Sequence, residues 1–265
     1  MRNLPPVTKH LLLVNIIVWL ADIMFQRHGL QLSDWLGLHY LTAPGFFFWQ
    51  PLTYMFMHAN LSHIFCNMFA VLMFAPVLEQ HWGSRRFLIY YLVCGLGAAA
   101  VQEAVWALRI HQLLASVPAD ALFVRYTSHL VTIGASGAVF GILLAFGWLF
   151  PDVPMFILFV PVPIRARIFV IIYAVIELMA GLAHVSGDNV AHFAHLGGML
   201  FGILLILLWQ HTDSGRWRRF SFSSLFRRKK DGHTRLDSTR SSGASSDTAR
   251  SKDYSGYHYQ SRIDD

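Results

Sequence analysis

Charge is the scarcest property of this 265-residue chain: only 14% of its residues are Asp, Glu, Lys or Arg. A water-soluble domain of this length carries about a quarter, so a soluble globular fold is excluded. Cysteine is nearly absent as well. Cys66 and Cys94 are the only two, both inside apolar runs, where buried free thiols are expected and a disulfide framework is not. No His-Glu-x-x-His segment occurs, so the usual helical signature of a zinc hydrolase is missing. No small-x-small cleavage site follows the first apolar run, and Asp22-Ile-Met-Phe-Gln extends it. That run therefore reads as a retained span, not a cleaved signal.

What the chain has in excess is apolar surface, at 55% of residues and a mean hydropathy of +0.45. It is gathered into runs near the roughly 20 residues that cross a bilayer. Six spans are predicted, at about 10–26, 63–81, 86–107, 134–150, 167–183 and 192–210. The expected fold is an all-α polytopic membrane protein, a six-transmembrane-helix bundle. The run Val153–Pro163 is too short to cross, and Pro154, Pro161 and Pro163 remove backbone donors, which predicts an interfacial connector.

The basic residues then set orientation. With the N-terminus in the cytoplasm, eighteen of the 21 Lys and Arg fall inside and only Arg27, Arg109 and Arg125 fall outside. Both termini are expected in the cytoplasm, with the first turns of spans two, four and six near the outer leaflet. Residues 1–9 read as a cytoplasmic N-terminus, 10–210 as the bundle and 211–265 as a basic tail. The tail is too polar to build a core. Its Arg227-Arg-Lys-Lys230 cluster suits anionic lipid, at about 1 kcal/mol per nearby charge, better than nucleic acid.

Polar side chains gather at those three first turns. His63 and Asn67 are one helical turn apart on one face, and such residues inside a span are functional candidates by default. Ser136 opens span four, where unpaired N–H groups and the helix dipole favour negative charge. A serine becomes a nucleophile only beside a base, and His195 at the top of span six is the leading one. Gly137-x-x-x-Gly141 and Gly198-x-x-x-Gly202 are small-residue stripes that permit a close helix crossing. Taken singly, the serine reads as a packing residue and the stripes as ordinary packing motifs. A metal site on His192 and His195, with His58 and His63 as further ligands, lacks a carboxylate among them.

The motifs His58-x4-His63-x3-Asn67, Gly134-x-Ser136-Gly137 and Ala194-His195-x2-Gly198-x3-Gly202 closely resemble those of the rhomboid family of intramembrane serine proteases. They stand in the family's order on spans two, four and six, and the resemblance covers roughly residues 10–210. It implies Ser136 as nucleophile and His195 as general base and acid, a dyad without an aspartate. It implies an oxyanion hole of His63, Asn67 and the Ser136 backbone N–H, with His58 and His192 as structural residues. It implies other proteins' transmembrane segments as substrates. No metal or other cofactor is expected, and six spans with no appended targeting sequence suit a bacterial inner membrane.

Two positions depart from the family's habit. A tyrosine commonly lies under the catalytic imidazole, and here Phe140 stands there, keeping an aromatic face without the hydroxyl. Trp49-Gln50 replaces the frequent Trp-Arg of the first loop. That loop, with Trp35, Phe46-Phe-Phe48 and Trp49, should lie partly in the membrane interface. Span five resembles the family's substrate gate, with Glu177 read as a structural acid, and Ser186–Asn189 should form part of a lid. The alternatives are a catalytically inactive rhomboid-like protein that binds membrane clients, and a transporter using His63, Glu177 and His195.

Overall fold

The computed structural model describes residues 4–114, 123, 126–157, 160–183 and 191–212. Six long helices account for most of these: α1 (Pro6–Gln26), α2 (Leu61–Trp82), α3 (Ser84–Leu114), α4 (Ser136–Leu149), α5 (Ala166–Ala183) and α6 (His192–Thr212). Five are long and apolar enough to cross a membrane, and α4 is a shorter apolar helix. The chain is thus an all-α integral membrane bundle. The predicted tail beyond Thr212 and the predicted lid residues 186–189 lie outside the described residues; residues 211 and 212, expected in the tail, complete α6.

Each helix begins and ends for local reasons. Pro6 starts α1, as proline does at a first helical position. The N–H groups of Val7 and Thr8, which have no acceptor within α1, donate to the Glu79 carboxylate on α2 at 2.9 and 2.7 Å. Thr8 and Ser84 hydroxyls complete that carboxylate's shell. One buried acid therefore caps α1 and ties it to the α2–α3 corner. Asn60 caps α2 by accepting the His63 N–H at 2.8 Å.

α4 is enclosed, with nine of its fourteen residues buried, whereas α1 and α5 turn apolar faces outward. Leu13, Ile17, Leu20 and Met24 on α1 are exposed, as are Ile171, Val175, Ile176 and Met179 on α5. Hydrocarbon is the medium that makes such faces stable. Cys94 is buried, but Cys66 is exposed on α2, so only one of the two thiols is packed inside. A helix turns its side chains all round its axis, and position 66 falls on the same outward face as Phe65 and Phe69.

Ring contacts at one end fix the helix directions. His81 near the end of α2 packs on Phe150 just past α4, with centroids 5.8 Å apart. Trp82 meets Trp209, near the end of α6, at 5.6 Å. The C-terminal ends of α2, α4 and α6 therefore share one end of the bundle, and their first turns share the other.

Two small antiparallel ladders supplement the helices. β1 (Leu38–His39) pairs with β2 (Val131–Thr132), which carries the segment leading into α4 back to the first loop. The proline-rich run after α4 forms a hairpin, β3 (Pro154–Ile157) with β4 (Val160–Arg165). The short connector expected there is thus built from paired strands. Pro154 occupies the first residue of β3, a place where the missing N–H is tolerated, and Pro161 and Pro163 fall within β4. Beyond the hairpin, Ala166 and Arg167 donate their N–H groups to the Val153 and Pro151 carbonyls, fastening the start of α5 beside the end of α4.

The first loop is pinned by the residue that departs from the family's habit. Gln50 is fully buried. Its Oε1 accepts the His39 N–H at 3.2 Å and its Nε2 donates to the Gly45 carbonyl at 2.9 Å. Phe47 stacks on Trp49 at 4.7 Å, and Trp35 and Phe48 remain 67% and 84% exposed. This aromatic edge has the amphipathic character of a membrane–water interface.

Candidate active site

The site begins with a glycine. Gly134 has φ of 134°, a region closed to residues with a side chain, and its N–H donates to the Tyr54 carbonyl at 2.9 Å. Tyr54 is buried, and its hydroxyl donates to the Gly95 carbonyl of α3 at 2.7 Å. The turn before α4 is thereby anchored to both the first loop and the bundle. A Cβ on Gly134 would sit 2.8 Å from the His63 ring and 3.5 Å from Ser136 Oγ. The imidazole edge and the hydroxyl therefore border one small volume. Ser136 follows as the first residue of α4, where an N–H has no acceptor within its own helix.

His195 arrives through the glycine stripes. A Cβ on Gly198 would land on the Gly137 carbonyl, and one on Gly141 would lie 3.3 Å from the Gly198 carbonyl. Backbones this close bring the preceding turns of α4 and α6 together. Ser136 Oγ lies 2.7 Å from His195 Nε2. Phe140, one turn after the serine, stacks flat on the imidazole, with centroids 4.3 Å apart and planes 9° from parallel. The His195 side chain is 9% exposed.

The structure adds a residue that sequence reasoning left aside. Glu177 of α5 places Oε2 2.8 Å from His195 Nδ1 and 2.7 Å from His192 Nδ1. A carboxylate does fall among these histidines, contrary to the expectation. His192 is accordingly a hydrogen-bond partner of Glu177. The signal in the sequence was its cost: an acid inside a span is expensive unless paired. Its partners lie on the next helix, α6, so spacing along the chain could not name them. The three ligand atoms lie within 4.8 Å of one another, a spread an ion could bridge. Both Nδ1 atoms aim at one oxygen at hydrogen-bond length, so hydrogen bonding alone satisfies them.

The remaining polar residues lie on the α2 side. The Ala59 N–H donates to His63 Nδ1 at 3.4 Å, which leaves the ring proton on Nε2, the atom facing Gly134. Asn67 is buried one turn below and donates one N–H to the His63 carbonyl at 2.9 Å. Its second N–H makes no other hydrogen bond among the described residues. His58, in the loop before α2, is 1% exposed and packs edge-on to His63 at 5.0 Å. Burial first, then the neighbouring His63, pushes its pKa down to about 4.

Comparison with known proteins gives the family. The description "Rhomboid domain" matches residues 46–211, more than half of the chain. "Rhomboid-like protein 11, chloroplastic" of Arabidopsis thaliana is 29% identical over 75% of this chain and 63% of its own length. "RHOMBOID-like protein 12, mitochondrial" of the same plant is 30% identical over 63% of this chain and 47% of its own. "Putative rhomboid protease YdcA" of Bacillus subtilis is 25% identical over 81% and 94%. The chain thus spans about half to two thirds of the plant relatives and nearly all of the bacterial one. With a family match running from the first loop through α6, across every residue of the site, the chain belongs to the rhomboid family, whose members are generally intramembrane serine proteases.

Proposed function

We propose that this protein is an intramembrane serine endopeptidase that cleaves other membrane proteins in or beside their transmembrane segments. The observation that carries the reading is the 2.7 Å contact between Ser136 Oγ and His195 Nε2, formed in the first turn of a helix and stacked on Phe140. Ser136 Oγ attacks the scissile carbonyl while its proton passes to His195 Nε2. The developing oxyanion is received by the Ser136 backbone N–H, His63 Nε2–H and the second N–H of Asn67. In soluble proteases one such donor is worth about 3–4 kcal/mol of barrier.

His195 then protonates the leaving amide nitrogen, and the first product departs. Water attacks the Ser136 ester, His195 takes its proton, and the second product leaves with the serine restored. A carbonyl within a helix is hydrogen-bonded and shielded, so the substrate segment must unwind first. Segments with helix-breaking residues near the outer leaflet are the preferred substrates. The positive-inside balance supports cytoplasmic termini and a site near the outer leaflet. The same balance supports the basic tail lying on anionic lipid.

A fluorophosphonate probe applied to the protein in liposomes tests the reading. Labelling of Ser136 is expected, and Ser136→Ala and His195→Ala should each abolish cleavage of a single-span substrate without unfolding the bundle. Retention of cleavage by either variant overturns the assignment. An inactive client-binding protein would take no label.

A further inference from the structure

The chemistry above needs an imidazole held with Nε2 toward Ser136, and Phe140 alone does not ensure it. A stacked ring is fixed in its plane, but a flat hydrocarbon face does not distinguish one ring edge from the other. A 180° turn about Cβ–Cγ keeps the stack and removes Nε2 from the serine. Only a group that recognises Nδ1 breaks that degeneracy. In Ser-His-Asp proteases a carboxylate does so, holding both the tautomer and the orientation.

Glu177 occupies that place. Its Oε2 is 2.8 Å from His195 Nδ1, on the opposite side of the ring from the 2.7 Å contact with Ser136. The same oxygen is 2.7 Å from His192 Nδ1. A single proton on Oε2 would serve one imidazole and not both, whereas an ionised carboxylate accepts from both. Two N–H donors also offset the cost of keeping that charge inside a span. A merely structural acid would be satisfied by His192; the second bond, to the base, is what this geometry adds.

We propose that Glu177 is the positioning acid of a Ser136–His195–Glu177 triad, supplied by α5, with His192 orienting the carboxylate. The proposal rests on the protease reading and extends it, since the family resemblance implied a dyad with no acid. The proton stays on Nδ1 through the resting state, so Nε2 is free to accept the serine proton. When the imidazolium forms, Glu177 stabilises its charge without taking the proton.

The test uses the full chain in liposomes with a fluorogenic single-span substrate. Glu177→Gln is expected to lower kcat by up to about 10⁴-fold, the size of the loss that removing the acid causes in soluble triads. KM should stay within about threefold, because the acid does not touch substrate. Glu177→Asp should recover part of the loss. A folded Glu177→Gln protein with kcat within threefold of the unaltered one overturns the triad. If Glu177→Gln does not fold, ¹⁵N-histidine magnetic resonance on the unaltered protein decides. The expected result is a strongly deshielded proton on His195 Nδ1 and none on Nε2. A proton on Nε2, or an Nδ1 proton with the shift of a water-bonded imidazole, overturns it. Ser136→Ala and His195→Ala run alongside: if they still cleave, the protease reading fails, whereas full activity in Glu177→Gln beside inactive controls removes the acid alone.

Discussion

At the scale of single residues, the site is organised around contacts that are each modest and that act on one ring. Phe140 contributes a face, and an aromatic stack is worth about 0.5–1.5 kcal/mol beyond burial. Phe140→Ala should therefore slow cleavage by about 3- to 10-fold, measured as kcat in liposomes, while Phe140→Tyr should change it little. His58 acts on stability instead. Its ring nitrogens are buried without a well-formed hydrogen bond, and its pKa is pushed down to about 4 from the ordinary 6.5. Between those values the unfolded chain binds a proton that the folded one refuses, so stability is complete above about pH 6.5 and falls as pH drops toward 4. The loss is on the order of 3 kcal/mol. Thermal unfolding in detergent between pH 4 and 7 should show it, with a flatter profile in His58→Asn.

At the scale of elements, the crossing of α4 and α6 is what converts two distant motifs into a pair. Gly198→Ala places a methyl on the Gly137 carbonyl and must push the helices apart. Loss of fluorophosphonate labelling at Ser136 and a lowered Tm are expected together, because the same contact serves packing and chemistry. This crossing was legible in the sequence, since the small-residue stripes stand beside Ser136 and His195. Helix positions were legible too, but not all boundaries. The third span was placed at 86–107 because a bilayer-length window closes there. The helix itself runs on to Leu114, as no proline or glycine interrupts Arg109 to Leu114. The hairpin after α4 was hidden because proline argues against strands in general, whereas Pro154 opens β3, Pro161 and Pro163 lie within β4, and a two-stranded ladder has only edge strands, where proline is tolerated. Glu177 was visible as a costly acid, but its partner depends on how α5 is rotated against α6, which the spacing of residues does not record.

At the scale of the whole molecule, α4 is shorter than its neighbours, with 14 residues and a length of about 21 Å. The hydrocarbon of a bilayer is about 30 Å thick. Just past its far end Asp152 pairs with Arg165 and Arg167 at 3.8 and 3.3 Å, all of them well exposed, a charged cluster that suits a membrane surface. With that cluster set at one boundary, Ser136 would stop about 9 Å short of the other, with the polar first turns of α2 and α6 around the gap. In liposomes of increasing acyl length, cleavage of a fixed substrate should slow as this gap lengthens, while His58-dependent stability should not follow. Lipid thickness would then act as a throttle on the proposed proteolysis, quick where the membrane is thin and slow where it is thick.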